Sequence, residues 1–122
     1  MKLLKSARLI GGISLATLFA LTAVASSPVE SGKAVFKNSC VYCHGEGGEG
    51  NPAADNFWKM KIPRLNTEYI RSKSDAELTN VILNGKRKMP PAMAGKPETQ
   101  HRTKVKAEQV PDLIAYVRTL KR

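Results

Sequence analysis

Cys40-Val41-Tyr42-Cys43-His44 holds both cysteines of the 122-residue chain and one of its two histidines. On a helical turn, residues three and four apart are neighbours, about 5–6 Å between Cβ atoms. Both thiols therefore face one side, and the His44 imidazole comes round to that side as well. The pentapeptide offers two covalent anchors and one metal ligand. A C-x-x-C redox pair would want a βαβ pattern nearby, and a zinc site would want a second Cys or His pair at ligand spacing. Neither accompanies it, because the remaining histidine, His101, stands alone. The reading left is attachment of one haem through two thioethers, at Cys40 and Cys43, with His44 binding the iron.

The N-terminus agrees with that chemistry. Lys2, Lys5 and Arg8 precede an uncharged apolar stretch from Leu9 to about Ala20, and Ala23-Val24-Ala25 is a small-x-small cleavage pattern. Residues 1–25 are expected to be a cleaved signal peptide, and 26–122 the working domain. The alternative is an uncleaved membrane anchor, although the uncharged run is short for about 30 Å of hydrocarbon and is broken by Gly11, Gly12 and Ser14. Export to an oxidising compartment, the periplasm, suits thiols that end in thioether bonds. Without the leader, 17 Lys plus Arg stand against 10 Asp plus Glu, a net charge of +7. A domain this small buries a limited core, and a porphyrin would give its helices a large apolar body to pack against.

The pattern along the chain is helical throughout. Val29 to about Cys40 reads as a first helix running into the haem motif. Residues 45–56, with Gly45, Gly47, Gly48, Gly50 and Pro52, read as a tight irregular loop. Ser74-x-x-Glu77 is a capping box ahead of Leu78, Val81 and Ile82, and Asn84-Gly85 is a helix stop. A last helix is expected over Glu108 to Leu120, with Leu113, Ile114, Tyr116, Val117 and Leu120 on one face and Pro111 confined to its first turn. Strand signals and internal repeats are absent. Pro90 to Lys104, with three prolines and a glycine, reads as a loop.

Taken in order, Gly32 and Phe36, CVYCHG, the Gly-rich loop, Ile62-Pro63-Arg64-Leu65, SDAELTNVILNGK, Met89-Pro90 and Ala115-Tyr116-Val117 resemble a class I mono-haem c-type cytochrome. The resemblance implies an all-α fold of three to four helices wrapped around one haem. It also implies that Met89, just before a proline, is the second axial ligand beside His44. A thioether is a soft neutral donor that raises the reduction potential. Met93 is the chief rival, with Met60 and His101 behind it. In the same family a proline carbonyl receives the proximal histidine's Nδ1–H, a place that Pro63 would fill. Phe36 and Tyr116 match the aromatic pair where the terminal helices cross. Trp58 and Arg64 are candidates to donate to the haem propionates, although an indole such as Trp58 more often simply lies against the porphyrin as a large hydrophobe.

The function so implied is that of a periplasmic electron carrier, not an enzyme. Lys86-Arg87-Lys88, with Lys59, Lys61 and Lys96, would ring the haem edge and steer redox partners with acidic docking surfaces. Nucleic-acid binding is excluded by export and by the lack of an aromatic stacking platform. The chain would act as a monomer or as the electron-transfer subunit of a larger redox enzyme. An open-site haem enzyme or gas sensor is the third reading, and it requires that no methionine bind the iron.

Overall fold

The computed structural model describes residues 25–91 and 104–121. Residues 1–24 of the leader, Met93, Lys96 and His101 lie outside them, as does most of the loop expected over 90–104. Within the described residues the chain is helical and has no strand, only an isolated bridge between Lys86 and Met89. The order is α1 (Pro28–Ser39), α2 (Val41–His44), α3 (Pro52–Trp58), α4 (Glu68–Arg71), α5 (Asp75–Asn84), a 3₁₀ turn (Ala107–Gln109) and α6 (Val110–Thr119). The three longer helices are those expected from periodicity, and short ones fill the stretches between them.

Helix α1 starts where Ser27 Oγ accepts from the Glu30 amide at 3.2 Å and Pro28 takes the first helical position. Its buried residues, Gly32, Phe36 and Ser39, recur at i, i+4 and i+7. In α6 the buried residues are Val110, Leu113, Ile114 and Val117, again one stripe. These stripes meet in the most extensive helix pairing of the fold. Phe36, fully buried, tilts at 58° to Tyr116 with ring centroids 5.3 Å apart. Burying a side chain of that size contributes about 1.5–3 kcal/mol. Gly32 permits the crossing: a Cβ there would fall 1.9 Å from the Asp112 carbonyl oxygen. Ile70, Val105 and Leu120 complete the core.

Helix α5 differs from the terminal pair. Its capping box is formed in full, with Ser74 Oγ accepting from Glu77 N–H at 3.2 Å and Glu77 Oε2 accepting from Ser74 N–H at 2.8 Å. None of its residues is fully buried, because its apolar face of Leu78, Val81 and Ile82 borders a cavity as well as the core. Arg118 anchors its start from α6, donating to the carbonyls of Arg71 and Lys73, each at 2.9 Å, and pairing with Asp75.

Two expectations need correction. Residues 45–56 are not irregular throughout: α3 begins at Pro52, because Asn51 Oδ1 accepts from the Ala53 amide at 3.0 Å and proline suits a first turn. The last helix is also broken, the 3₁₀ turn preceding α6, whose first turn holds Pro111.

Two outcomes follow from this packing. Gly32→Ala forces the α1–α6 backbones apart and should lower stability by about 1–3 kcal/mol, read from urea unfolding of the haem-loaded protein. The second concerns Glu77, whose carboxyl is lowered to about 2 from an ordinary 4.5, chiefly by the Ser74 amide and then by Lys73. Stability from a depressed carboxylate is complete above its unfolded pKa and is lost as pH falls through the folded one. Glu77→Gln should therefore be less stable than the parent at pH 7, with the gap closing between pH 4.5 and about 2.

Candidate haem site

The haem motif sits at the end of α1, where Cys40 both terminates that helix and caps α2. One helical turn is enough to stack the motif, since the amides of Cys43 and His44 both donate to the Cys40 carbonyl, at 3.2 and 3.0 Å. Gly45 then reverses the chain at a φ of 79°. The following loop folds back on the motif: Gly50 N–H donates to the His44 carbonyl at 2.6 Å, and Leu65 N–H to the Gly48 carbonyl at 2.7 Å.

His44 is buried, and its Nδ1 lies 3.1 Å from the Pro63 carbonyl oxygen. A carbonyl only accepts, so Nδ1 carries the proton and donates it. In a neutral imidazole the lone pair is then on Nε2, the tautomer a metal ligand needs. The expectation for Pro63 is met by this contact.

Cys40, Cys43, His44 and Met89 all line one cavity of about 930 Å³. Its walls come from every quarter of the fold: Phe36 on α1, Ile62 and Leu65 after α3, Leu78, Val81 and Ile82 on α5, and Leu113, Ile114 and Val117 on α6. Aromatic residues stand at the rim, with Tyr42, Phe57 and Tyr69 exposed. Trp58 also lines the cavity and is braced edge-on by Phe57 at 4.9 Å.

Met89 is presented by a tight turn following α5. Lys86 N–H donates to the Met89 carbonyl at 2.9 Å and Met89 N–H to the Lys86 carbonyl at 3.0 Å, with Arg87 at a φ of 57°. Gly85, at a φ of 74°, lets the turn close: a Cβ there would lie 2.4 Å from the Met89 carbonyl oxygen. Met60 lines the same cavity from the segment after α3. Lys61, Lys86, Arg87 and Lys88 also border it, as does Lys73, which pairs there with Glu77 at 3.0 Å, and the run Lys86–Lys88 makes a basic edge.

Arg64 is engaged elsewhere than at the cavity wall. Its guanidinium rests on Gly50 and pairs with Asp55 at 2.9 Å, and it also donates to the Ile62 carbonyl at 3.4 Å. Asp55 had no sequence signal of its own. The carboxylate acts through residues seven and nine positions on, a spacing that no helical or strand period flags.

The donor set fits a covalently held haem. It combines two thiols and an imidazole on one turn, a thioether in the same cavity, and a large apolar wall. Among the described residues, no cluster of three or more His, Cys, Asp or Glu residues offers an alternative metal site. No described helix is long and apolar enough to cross a membrane.

Comparison with known proteins agrees with this chemistry. The cytochrome c family matches residues 29–121. A solved structure, KustC0563 c-type cytochrome, superposes with a TM-score of 0.57 at 22% identity, covering 75% of this chain and 98% of the other. At that identity the likeness concerns the fold. No curated protein matches the chain. On the family match, which spans most of its length, the chain belongs to the cytochrome c family, whose members carry covalently attached haem c and serve haem-based electron transfer.

Proposed function

We propose that the protein is an exported, mono-haem electron carrier in which Cys40 and Cys43 hold the haem by thioether bonds and His44 and Met89 bind its iron. The observation that carries this reading is the convergence of those four side chains on one apolar cavity, with the His44 ring oriented by Pro63. When bound, the haem supplies one-electron chemistry, its iron cycling between ferric and ferrous.

The chain's own groups do the rest. Pro63 holds the Nδ1 proton of His44 and strengthens the imidazole as a donor. The Lys86–Met89 turn, stiffened by Pro90 and Pro91, limits the freedom of the Met89 side chain. Met60 is the weaker candidate, because the resemblance places the ligand in a Met-Pro step and Met60 is followed by Lys61. Apolar walls from α5 and α6 exclude water, which limits the reorganisation that accompanies a change of charge. Residues 1–25 deliver the chain to the periplasm, and 26–122 form the domain that works there.

The basic edge around Lys86, Arg87 and Lys88 supports transient docking of redox proteins with acidic surfaces. Such encounters are salt-sensitive, since the screening length is about 8 Å at 0.15 M ionic strength. Closure of both axial positions leaves no site for a substrate, which separates this reading from that of a haem enzyme.

The test is the visible spectrum of the protein produced with a cytochrome maturation system. The parent should show a low-spin haem c with the weak far-red band of sulfur bound to ferric iron. Met89→Ala should lose that band, bind added carbon monoxide or cyanide, and fall in reduction potential, whereas Met60→Leu should behave as the parent. A Met89→Ala protein with an unchanged six-coordinate spectrum would overturn the ligand assignment.

A further inference from the structure

The Pro63 carbonyl can orient His44 only if its own peptide plane is held, and proline has no amide hydrogen with which to hold it. Its neighbours help to hold it, Thr67 Oγ1 donating to the Arg64 carbonyl at 3.1 Å, and one side chain reaches both of them. Asp55 Oδ1 accepts from the Ile62 amide at 2.8 Å, and Asp55 Oδ2 accepts from the Arg64 guanidinium at 2.9 Å. The carboxylate thus grips the residue on either side of Pro63.

Asp55 is itself fixed. Its amide donates to the Asn51 carbonyl at 2.9 Å, its carbonyl accepts from Met60 N–H at 3.1 Å, and Asn51 Nδ2 donates to the Tyr42 carbonyl at 2.6 Å. Helix α3 is thereby tied to the haem-motif turn. The guanidinium of Arg64 lies against Gly50, where a Cβ would collide with it, and Gly50 N–H donates to the His44 carbonyl. A closed circuit results, running from the His44 backbone through Gly50, Arg64, Asp55, Ile62 and Pro63 to the His44 ring. Asp55 is its only acidic member, mostly shielded at 17% side-chain exposure. The Ile62 amide, seconded by Arg64, keeps its carboxyl below the ordinary carboxylate range, so it is ionised at neutral pH.

We infer that Asp55 is a positioning residue for the proximal ligand: its carboxylate, through Ile62 and Arg64, aims the Pro63 carbonyl at His44 Nδ1–H and so sets the donor strength of the imidazole. The inference rests on His44 being an iron ligand. It assigns Asp55 no contact with the haem.

Asp55→Asn keeps an acceptor for Ile62 but loses the ion pair, while Asp55→Ala loses both. In the haem-loaded, reduced protein, solvent exchange of His44 Nδ1–H, followed by proton NMR, should quicken roughly three- to tenfold in Asp55→Ala and less in Asp55→Asn, as expected for one weakened hydrogen bond. The reduction potential should rise in the same order, because a weaker donor favours ferric iron less. Loss of negative charge alone would raise the potential equally in both variants and leave the exchange rate unmoved, and that result would overturn the inference. If Asp55→Ala fails to take up haem, Arg64→Leu serves in its place: it breaks the same bridge, so exchange should again quicken, and an unchanged rate counts against the proposal. Failure of the underlying reading looks different. The unsubstituted protein would then lack His44 ring protons shifted upfield by the porphyrin, whatever Asp55 does.

Discussion

The backbone approach of Gly32 to the Asp112 carbonyl is the constraint on which the other parts of the molecule depend. It lets α1 and α6 cross closely enough for Phe36 to be sealed beneath Leu113 and Val110, making a core from two ends of the chain. Because α1 runs directly into Cys40, that crossing also fixes where the haem motif begins. Because α6 donates from Arg118 to the α4–α5 junction, it fixes where α5 starts. The two walls of the cavity are therefore referred to the same contact.

Around that crossing the apolar residues differ in how far they are covered. Phe36, Val105, Val110 and Leu113 are fully buried, Phe36 and Leu113 also reaching the cavity wall. Leu78, Val81 and Ile82 of α5 are only half-buried along the cavity. A chain of this size buries a limited core, and α5 leaves part of its apolar face to the cavity. Helix α5 is held by its caps, by Arg118 and by partial packing of Leu78, Ile82 and Leu83 against the core, and its apolar face also borders the cavity. That difference explains a capping box formed in full on a helix with no fully buried residue.

What was legible in the sequence is what depends on near neighbours. The motif turn, the Ser74–Glu77 box and the α6 stripe are each set by spacings of three or four residues, and each formed. The Phe36–Tyr116 pair and the Pro63 carbonyl came through family resemblance, since 80 and 19 residues of separation leave no periodic trace. Helix α3 was hidden by its composition: glycines and a proline mark a turn, yet Asn51 and Pro52 together also make a good helix start. Asp55 was hidden for a different reason. An aspartate in PAADN has no pattern to distinguish it from a solvated one, and only the fold brings Ile62 and Arg64 to its two oxygens.

The two sides of the cavity are also held in different ways. On the His44 side, hydrogen bonds join residues far apart in sequence, Gly48 to Leu65, His44 to Pro63 and Asp55 to Arg64. To loosen one of them, the others must stretch as well. On the Met89 side, the described bonds are local, between Lys86 and Met89 and from Gly85 to Val81. A histidine held by a long-range network and a methionine held by a short turn are not equally replaceable. On the proposed ligation, the two iron ligands are thus braced differently among the described residues, His44 by the long-range network and Met89 by its turn beside the basic edge.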